Sequence, residues 1–189
     1  MIDGARQSKR ILSVSENYRR DPINRLTKAI LEEKELGSPR LIFSIAASGT
    51  RGMPHSTAWR HIKVRGGYLL DYAVHTADLF LYFMGEVDRV YAETQLWDES
   101  RENTSIPTSS HQVQYYRHRV REDIERTSAI NSTSEDMALA LIRFESGTMG
   151  QFAMTIAAPG EITHSDIIYC ESGSLKLPGS RTGKPIMIT

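Results

Sequence analysis

A long apolar segment near the middle of the chain constrains its fold more than any other feature. The segment follows Gly66-Gly67, runs through residues 67–84 and stops at Gly85, which is the punctuation typical of a helix. An apolar helix of this kind has to be covered by another layer of structure. Asp71 and His75 lie four residues apart within it, so their side chains share one helix face.

The segments around this helix predict one further long helix and several strands. Asp21-Pro22 is a good helix start, and Gly37 followed by Pro39 marks the end of that helix. Strand-like runs occupy residues 11–14, 41–47, 87–97, 137–144, 149–157, 167–170 and 174–177. Because the helices come early and the strands cluster late, the predicted class is α+β, an open, predominantly antiparallel sheet with helices packed on one face.

Composition excludes some classes of partner. The 189 residues are 40% apolar and 24% charged and carry a formal net charge of zero. The chain can therefore bury a sizeable core, and we expect neither a nucleic-acid partner nor a membrane partner. The single cysteine, Cys170, lies in an apolar run and is predicted to be a small buried side chain. Residues 1–6 lack the apolar core of a secretion signal, so a cytoplasmic location is expected.

The Asp71–His75 pair has several interpretations when only its spacing is considered. A structural pair that satisfies polar groups in the core is the favoured one, and a ligand-binding or proton-relay pair is the functional one. A metal site is a further possibility, but the remaining histidines show no diagnostic spacing. The two glycines before the pair either make a helix-start turn or allow a ligand or another backbone to approach closely.

Two other clusters have a functional and a structural interpretation. Tyr18 and Arg19 follow a predicted strand, and arginine beside tyrosine suits a polyol or carboxylate ligand, although Arg19 and Arg20 as a solvated pair of bases is the slightly favoured interpretation. Trp59 and Arg60 suit stacking on a sugar-like ring or capping of the core. Residues 98–133 are polar without a clean period, and an aromatic and basic cluster at 115–119 indicates nucleic acid only weakly.

The sequence lacks the signals of a self-contained nucleotide site. It has no Gly-x-Gly pair, so the dinucleotide fingerprint is absent. Residues 179–184 are similar to a phosphate loop but are one residue too short, and Pro185 replaces the required Ser or Thr. A surface turn is therefore predicted there.

Several motifs, taken in order, resemble the C-terminal domain of the Gfo/Idh/MocA oxidoreductase family. The resemblance covers roughly residues 5–178. The matching segments are residues 16–22 (ENYRRDP), 37–40 (GSPR), 59–60 (WR), 66–75 (GGYLLDYAVH), 134–151 and 171–175 (ESGSL).

The resemblance implies a function and a set of roles. His75 would accept a proton from a substrate hydroxyl, Asp71 would bind or orient the substrate, and four further residues would line the pocket: Tyr18, Arg19, Trp59 and Arg60. The substrate would be a sugar or polyol, oxidised or reduced at a carbinol. NAD or NADP would serve the full-length parent, with none expected on this chain. A homo-oligomer through the β-sheet is also implied.

The resemblance also predicts the organisation of the chain. Residues 1–15 would be the helix and strand that link from an N-terminal nucleotide-binding domain, and residues 16–189 would be the C-terminal domain. That nucleotide-binding domain and its Glu-Lys-Pro lysine are not in the sequence, and Ala73 stands where the family commonly has glycine. The isolated chain is therefore predicted to be inactive. Two alternatives remain: a non-catalytic dimerisation or small-polyol-binding module, and a metal-dependent hydrolase or isomerase using Asp71 and His75.

Overall fold

The centre of the fold is a seven-stranded mixed sheet. The structure is a computed structural model and describes residues 1–49, 58–102 and 129–189. The strands along the chain are β1 (Pro39–Ala47), β2 (Val87–Gln95), β3 (Ser100–Glu102), β4 (Ala129–Asn131), β5 (Met137–Phe144), β6 (Met149–Thr155), β7 (Thr163–Cys170), β8 (Ser174–Leu177) and β9 (Met187–Ile188). The large sheet has the order β2-β5-β6-β1-β7-β8-β9, and β3 and β4 form a separate two-stranded sheet.

Strand pairing confirms the predicted fold class. Strand β1 runs parallel to β6, and every other neighbouring pair in the described sheets is antiparallel. Consecutive predicted strands pair as hairpins, β5 with β6 and β7 with β8. The helices are α1 (Ile2–Gln7), α2 (Pro22–Glu33) and α3 (Gly67–Met84). None of the helices in the described ranges is long and apolar enough to cross a bilayer.

The start of α3 explains the pair of glycines in the sequence. Gly66 and Gly67 have φ values of 112° and 73°, which residues with a side chain rarely adopt. A Cβ atom on Gly67 would lie 1.9 Å from the Oγ atom of Ser134. The glycines therefore serve both the turn and a close approach, and the group that approaches Gly67 is a side chain of this chain.

The core lies between α3 and one face of the large sheet. Phe80, Phe83 and Met84 of α3 are buried against a sheet layer that includes Ile42 and Ile168. Full burial of each such side chain stabilises the fold by about 1.5–3 kcal/mol. Cys170 is buried in the same cluster, as predicted.

The opposite face of the sheet, termed here the outer face, is apolar and open. Successive side chains of a strand point to opposite faces of the sheet, so every second residue of β1, β5, β6 and β7 lies on the outer face. They include Leu41, Phe43, Ile45, Leu139, Leu141, Met149, Ile167 and Tyr169. Leu139, Leu141, Met149 and Tyr169 are exposed.

The prediction of a strand at residues 11–14 was wrong. Residues 10–17 form neither helix nor strand, and Ile11 is 97% exposed. A β-type sequence is stable as a strand only when a neighbour completes its ladder, and no described strand pairs with this one. Strand β2 also ends at Gln95, before the predicted end at residue 97. The cluster at 115–119 lies outside the described residues.

A buried polar cluster joins the two-stranded sheet to the rest of the domain. The Asp136 carboxylate accepts bonds from Arg101 Nη2 at 2.8 Å and from the backbone N–H groups of Trp97 and Asp98 at 3.0 and 2.9 Å. Arg101 and Asp136 are both buried. His61 is buried beside them, and no group in the described ranges hydrogen-bonds its Nε2 atom.

We expect His61 to make the stability of the domain depend on pH. Burial, together with the charges of Arg101 and Arg60, lowers its pKa from 6.5 to about 4, and the charge of Asp136 opposes this only partly. The unfolded chain therefore binds a proton that the folded chain rejects, so stability falls as the pH drops from about 6.5 towards 4. The expected loss between pH 7 and pH 5 is about 2 kcal/mol.

Urea unfolding at the two pH values measures this loss. His61→Gln should remove most of it, because glutamine does not titrate. The exposed His164→Gln is the matched control and should retain it. An unchanged pH dependence in His61→Gln would contradict the assignment.

Candidate active site

Three polar side chains form a stripe along one face of α3. Asp71, His75 and Asp78 are spaced four and three residues apart, which places them in one row on a helix. Each contacts a residue from another segment: Asp71 pairs with Arg60, His75 with Glu16 and Asp78 with Arg19. The stripe is therefore tied to one segment that lies 59 residues away along the chain and to another that lies 11 residues away.

The His75 ring is held by the carboxylate of Glu16. Its Nδ1 atom lies 2.8 Å from Glu16 Oε1 and 2.9 Å from Oε2. The His75 side chain is 25% exposed and that of Glu16 is 13% exposed. The pair is thus sheltered but still reachable by a ligand.

The electrostatics of Glu16 decide which nitrogen of His75 carries the proton. Burial alone would raise the pKa of Glu16, but the backbone N–H of Tyr18 and the His75 ring together hold it below its usual value. The carboxylate is therefore ionised at neutral pH and accepts a proton-bearing nitrogen. Nδ1–H of His75 is the donor, and in the neutral ring this leaves Nε2 as a proton acceptor.

Tyr18 fixes the plane of the His75 ring. The two rings are stacked, with centroids 4.0 Å apart and planes within 7°. The backbone N–H of Tyr18 also donates to Glu16 Oε1 at 2.9 Å. Residues 16–18 therefore both orient the imidazole and supply its hydrogen-bond partner.

Asp71 is oriented by the Trp59-Arg60 segment. Arg60 Nε donates to Asp71 Oδ2 at 2.7 Å, and the Arg60 guanidinium lies 4.4 Å from the centroid of the Trp59 ring. The Asp71 side chain is about one-third exposed. One carboxylate oxygen is thus committed to Arg60, while the side chain remains open to a ligand.

Arg19 is engaged by Asp78, the second acid of the stripe. Its Nε donates to Asp78 Oδ2 at 2.7 Å, and its Nη2 donates to the other oxygen of that carboxylate. This two-bond contact fastens the segment around Tyr18 to α3. The role of Arg19 in binding substrate stays a prediction.

The structure brings all six predicted site residues to the same helix and adds two that the sequence analysis missed. The predicted residues are Tyr18, Arg19, Trp59, Arg60, Asp71 and His75, and the missed ones are Glu16 and Asp78. Asp78 could have been found from its position one turn after His75 on the same face. No local sequence pattern indicated a role for Glu16, because the residue that it contacts, His75, lies 59 positions away.

Glu16→Gln should change the tautomer of His75. We expect wild-type His75 to be almost wholly the Nδ1–H form, because the Glu16 carboxylate accepts only that proton. A glutamine amide can both donate and accept, so the variant should populate both tautomers. Long-range ¹H–¹⁵N spectra of the imidazole measure the ratio. A wild-type ring that is mainly Nε2–H would contradict the geometry.

The described residues offer neither a metal cluster nor a phosphate cradle. Within the ranges that the structure describes, no group of three or more His, Cys, Asp or Glu side chains could hold a metal ion. Residues 179–184 form an exposed turn, as predicted, in which Thr182 N donates to Gly179 O at 3.3 Å. Arg181 N donates to Asp21, which caps α2. An acid at that helix start disfavours a phosphate there, so these residues do not fit a dinucleotide.

Comparison with known proteins identifies the family. The GFO/IDH/MocA C-terminal domain matches residues 24–176 of the sequence. This chain belongs to the Gfo/Idh/MocA family. A curated relative of this Gfo/Idh/MocA domain is the uncharacterized oxidoreductase YrbE of Bacillus subtilis strain 168, with 34% identity over 83 residues, or 43% of this chain and 23% of YrbE.

Solved structures share the fold of this Gfo/Idh/MocA domain. An NAD-binding oxidoreductase from Klebsiella pneumoniae aligns with 99% of the chain at 20% identity and a TM-score of 0.71, over 45% of its own length. Levoglucosan dehydrogenase, in complex with NADH and L-sorbose, aligns with 100% of the chain at 21% identity and a TM-score of 0.69, over 50% of its length. The chain thus spans about half the length of these oxidoreductases.

Proposed function

We propose that this chain is the substrate-side domain of an NAD(P)-dependent oxidoreductase that acts on a carbinol of a sugar or polyol. The observation that carries the proposal is the Glu16–His75 contact, which gives α3 an oriented proton acceptor beside Asp71. Levoglucosan dehydrogenase, which shares the fold, is described in complex with L-sorbose, and this supports a sugar-like ligand. A cytoplasmic location is part of the proposal.

The residues of this chain would handle the proton of the reaction. As the carbinol is oxidised, its hydroxyl proton passes to Nε2 of His75, and the Glu16 carboxylate stabilises the imidazolium that forms. Asp71 accepts a hydrogen bond from the substrate and fixes its orientation, and Arg60 holds that carboxylate in place. A nicotinamide nucleotide supplies the hydride acceptor when it is bound. The described residues do not fit that nucleotide, so we assign it to another part of the active enzyme.

Activity measurements test the proposal. The purified chain should give no detectable turnover of NAD(H) or NADP(H) with any sugar or polyol, because hydride transfer needs the cofactor beside the reacting carbon. Joined to a Gfo/Idh/MocA nucleotide-binding domain, it should oxidise at least one polyol in a His75-dependent way. Turnover by the chain alone would contradict the proposal, as would turnover in the joined protein that survives the loss of His75.

A non-catalytic module is the second candidate function, favoured by the open outer face. In that case the sheet would serve as a dimerisation surface, and the pocket near His75 would at most hold a small polyol. The coding DNA on the 5′ side of the Met1 codon separates the two. An in-frame stretch that encodes a nucleotide-binding domain ending in Glu-Lys-Pro supports the enzyme function. An upstream stop codon, together with an independent promoter for this coding sequence, supports the non-catalytic module. No observation in the described residues favours the metal-dependent alternative.

The outer face is proposed as the surface through which copies of the chain assemble. Exposed apolar side chains that share one face of a sheet are typical of an interface. Leu139→Lys should weaken the dimer at least about tenfold, because it places a charge inside the buried contact. Leu26→Lys on α2 is a matched control, since Leu139 and Leu26 are each 51% exposed. Sedimentation at micromolar concentration measures the effect. A monomeric wild type, or equal effects of the two variants, would contradict this assignment.

A further inference from the structure

A cavity lies between α3 and the core-facing side of the sheet, next to the His75 site. Its volume is about 210 Å³. On the helix side, Tyr72 and Thr76 line it, each one residue after Asp71 and His75. Tyr18 lines it too, and the same ring stacks on His75. Tyr18 is therefore the residue that this cavity shares with the His75 site.

The sheet side of the cavity presents a sheltered carboxyl group. Asp166 of β7 lies opposite Ser44 of β1, and both residues line the cavity. The Ser44 hydroxyl and the charge of His164, which also lines the cavity, both favour the ionised form of the carboxyl group. Within the described ranges, neither an arginine nor a lysine contributes to its charge environment. Burial accordingly raises the pKa of Asp166 above its usual value.

The surroundings of Asp166 select the chemistry of a ligand. A carboxyl group with one hydroxyl partner has acceptor capacity left over. A buried acid with no arginine or lysine beside it is stabilised by donors and destabilised by a second negative charge. The bases of the neighbouring His75 site, Arg19 and Arg60, are paired with Asp78 and Asp71, and the Arg181 guanidinium lies 5.2 Å from the centroid of the Tyr18 ring. Tyr18, Tyr72 and Phe80 also line the cavity, and their apolar atoms suit the carbon skeleton of a sugar or polyol.

We infer that Asp166 is a specificity-determining residue that makes this cavity bind neutral or amino-bearing polyols and reject sugar acids. This inference rests on the proposed function, because the polyol is the proposed substrate. A hydroxyl or ammonium group of the ligand donates to Asp166, and Ser44 holds the carboxyl group in position. A carboxylate on the ligand would meet the Asp166 carboxyl group with no arginine or lysine of the described residues acting on that group.

Binding of a matched set of compounds to the purified chain tests the inference. The probes are D-glucose, D-sorbitol, D-glucosamine and D-glucuronate, and the readout is the amide signals of Ser44 and Asp166 in ¹H–¹⁵N spectra. We expect at least one of the first three to saturate these signals, and D-glucuronate to bind at least about tenfold more weakly. Equal binding of glucuronate would overturn the inference, as would signals that no probe moves.

Variants show whether Asp166 itself makes the selection. Asp166→Asn keeps the shape and removes the charge, so it should abolish most of the preference against glucuronate. Asp88→Asn on the edge strand β2 is the matched control and should keep that preference. Ser44→Ala should weaken the selection in part. If the Asp166→Asn spectrum shows an intact fold and an unchanged preference, the inference is wrong.

The experiments distinguish a failure of the Asp166 inference from a failure of the proposed function. If the joined oxidoreductase depends on His75 while Asp166→Asn leaves the preference unchanged, only the inference fails. If the chain shows the Asp166-dependent preference while the joined protein has no His75-dependent turnover, only the proposed enzyme activity fails.

Discussion

His75→Ala is expected to lower kcat/KM for polyol oxidation by about 10²–10⁴-fold when the chain works together with a nucleotide-binding domain. In the proposed mechanism the Nε2 atom is the proton acceptor, because Glu16 engages Nδ1 and Tyr18 stacks on the ring. The alanine variant leaves Asp71 and Arg60 in place, so polyol binding should weaken much less than turnover. Steady-state rates and equilibrium binding, measured separately, distinguish the two effects.

Chemical rescue provides the control for this variant. Added imidazole should restore part of the rate of His75→Ala, because the alanine leaves space where a free base can enter. It should do nothing for the wild type. A variant that retains full activity, or one that loses binding and turnover to the same extent, would show that His75 is not the proton acceptor.

Asp136→Ala is expected to destabilise the domain by about 3–5 kcal/mol. The substitution removes a buried carboxylate that bonds Arg101 and two backbone N–H groups, and these groups stay buried while losing an acceptor. Such a loss is a large fraction of the stability of an ordinary domain, which is about 5–15 kcal/mol. Urea unfolding followed by circular dichroism measures it.

An exposed acid gives the matched control for Asp136. The Oδ2 atom of Asp88 lies 3.7 Å from the Nε atom of Arg89, and both side chains are more than half exposed. Asp88→Ala should therefore change stability by no more than about 1 kcal/mol. If the two aspartate variants were equally stable, the Arg101–Asp136 cluster would not hold the domain together.

The helices and strands whose ends are set by local residues, such as caps, glycines and turn residues, could be predicted from the sequence. Helix α3 begins and ends where the glycines place it, and α2 begins at Pro22 with Asp21 as its cap. The hairpin strands were found because turn residues separate runs of apolar side chains. The position of Asp71 and His75 on one face followed from the helix period, and the structure adds Asp78 to the same stripe.

Contacts between distant segments could not be predicted in this way. Residues 11–14 have a strand-like composition, but a strand needs a neighbour, and only the folded arrangement shows that none of the described strands supplies one. The Glu16–His75 and Arg101–Asp136 contacts span 59 and 35 residues. Spacing along the chain gives no information on such pairs, so the carboxylate that orients His75 emerged only from the structure.

The most direct test of the account is a polyol titration of this chain that follows the ring nitrogens of His75. At neutral pH we predict an Nδ1–H imidazole whose Nε2 resonance shifts and saturates with at least one neutral polyol, because the substrate hydroxyl should lie against that nitrogen. During the titration, the hydrogen bond that Nδ1–H of His75 donates to Glu16 should stay intact. An Nε2–H imidazole, or an Nε2 resonance that no polyol moves, would contradict the claim that α3 carries the substrate side of a carbinol oxidoreductase.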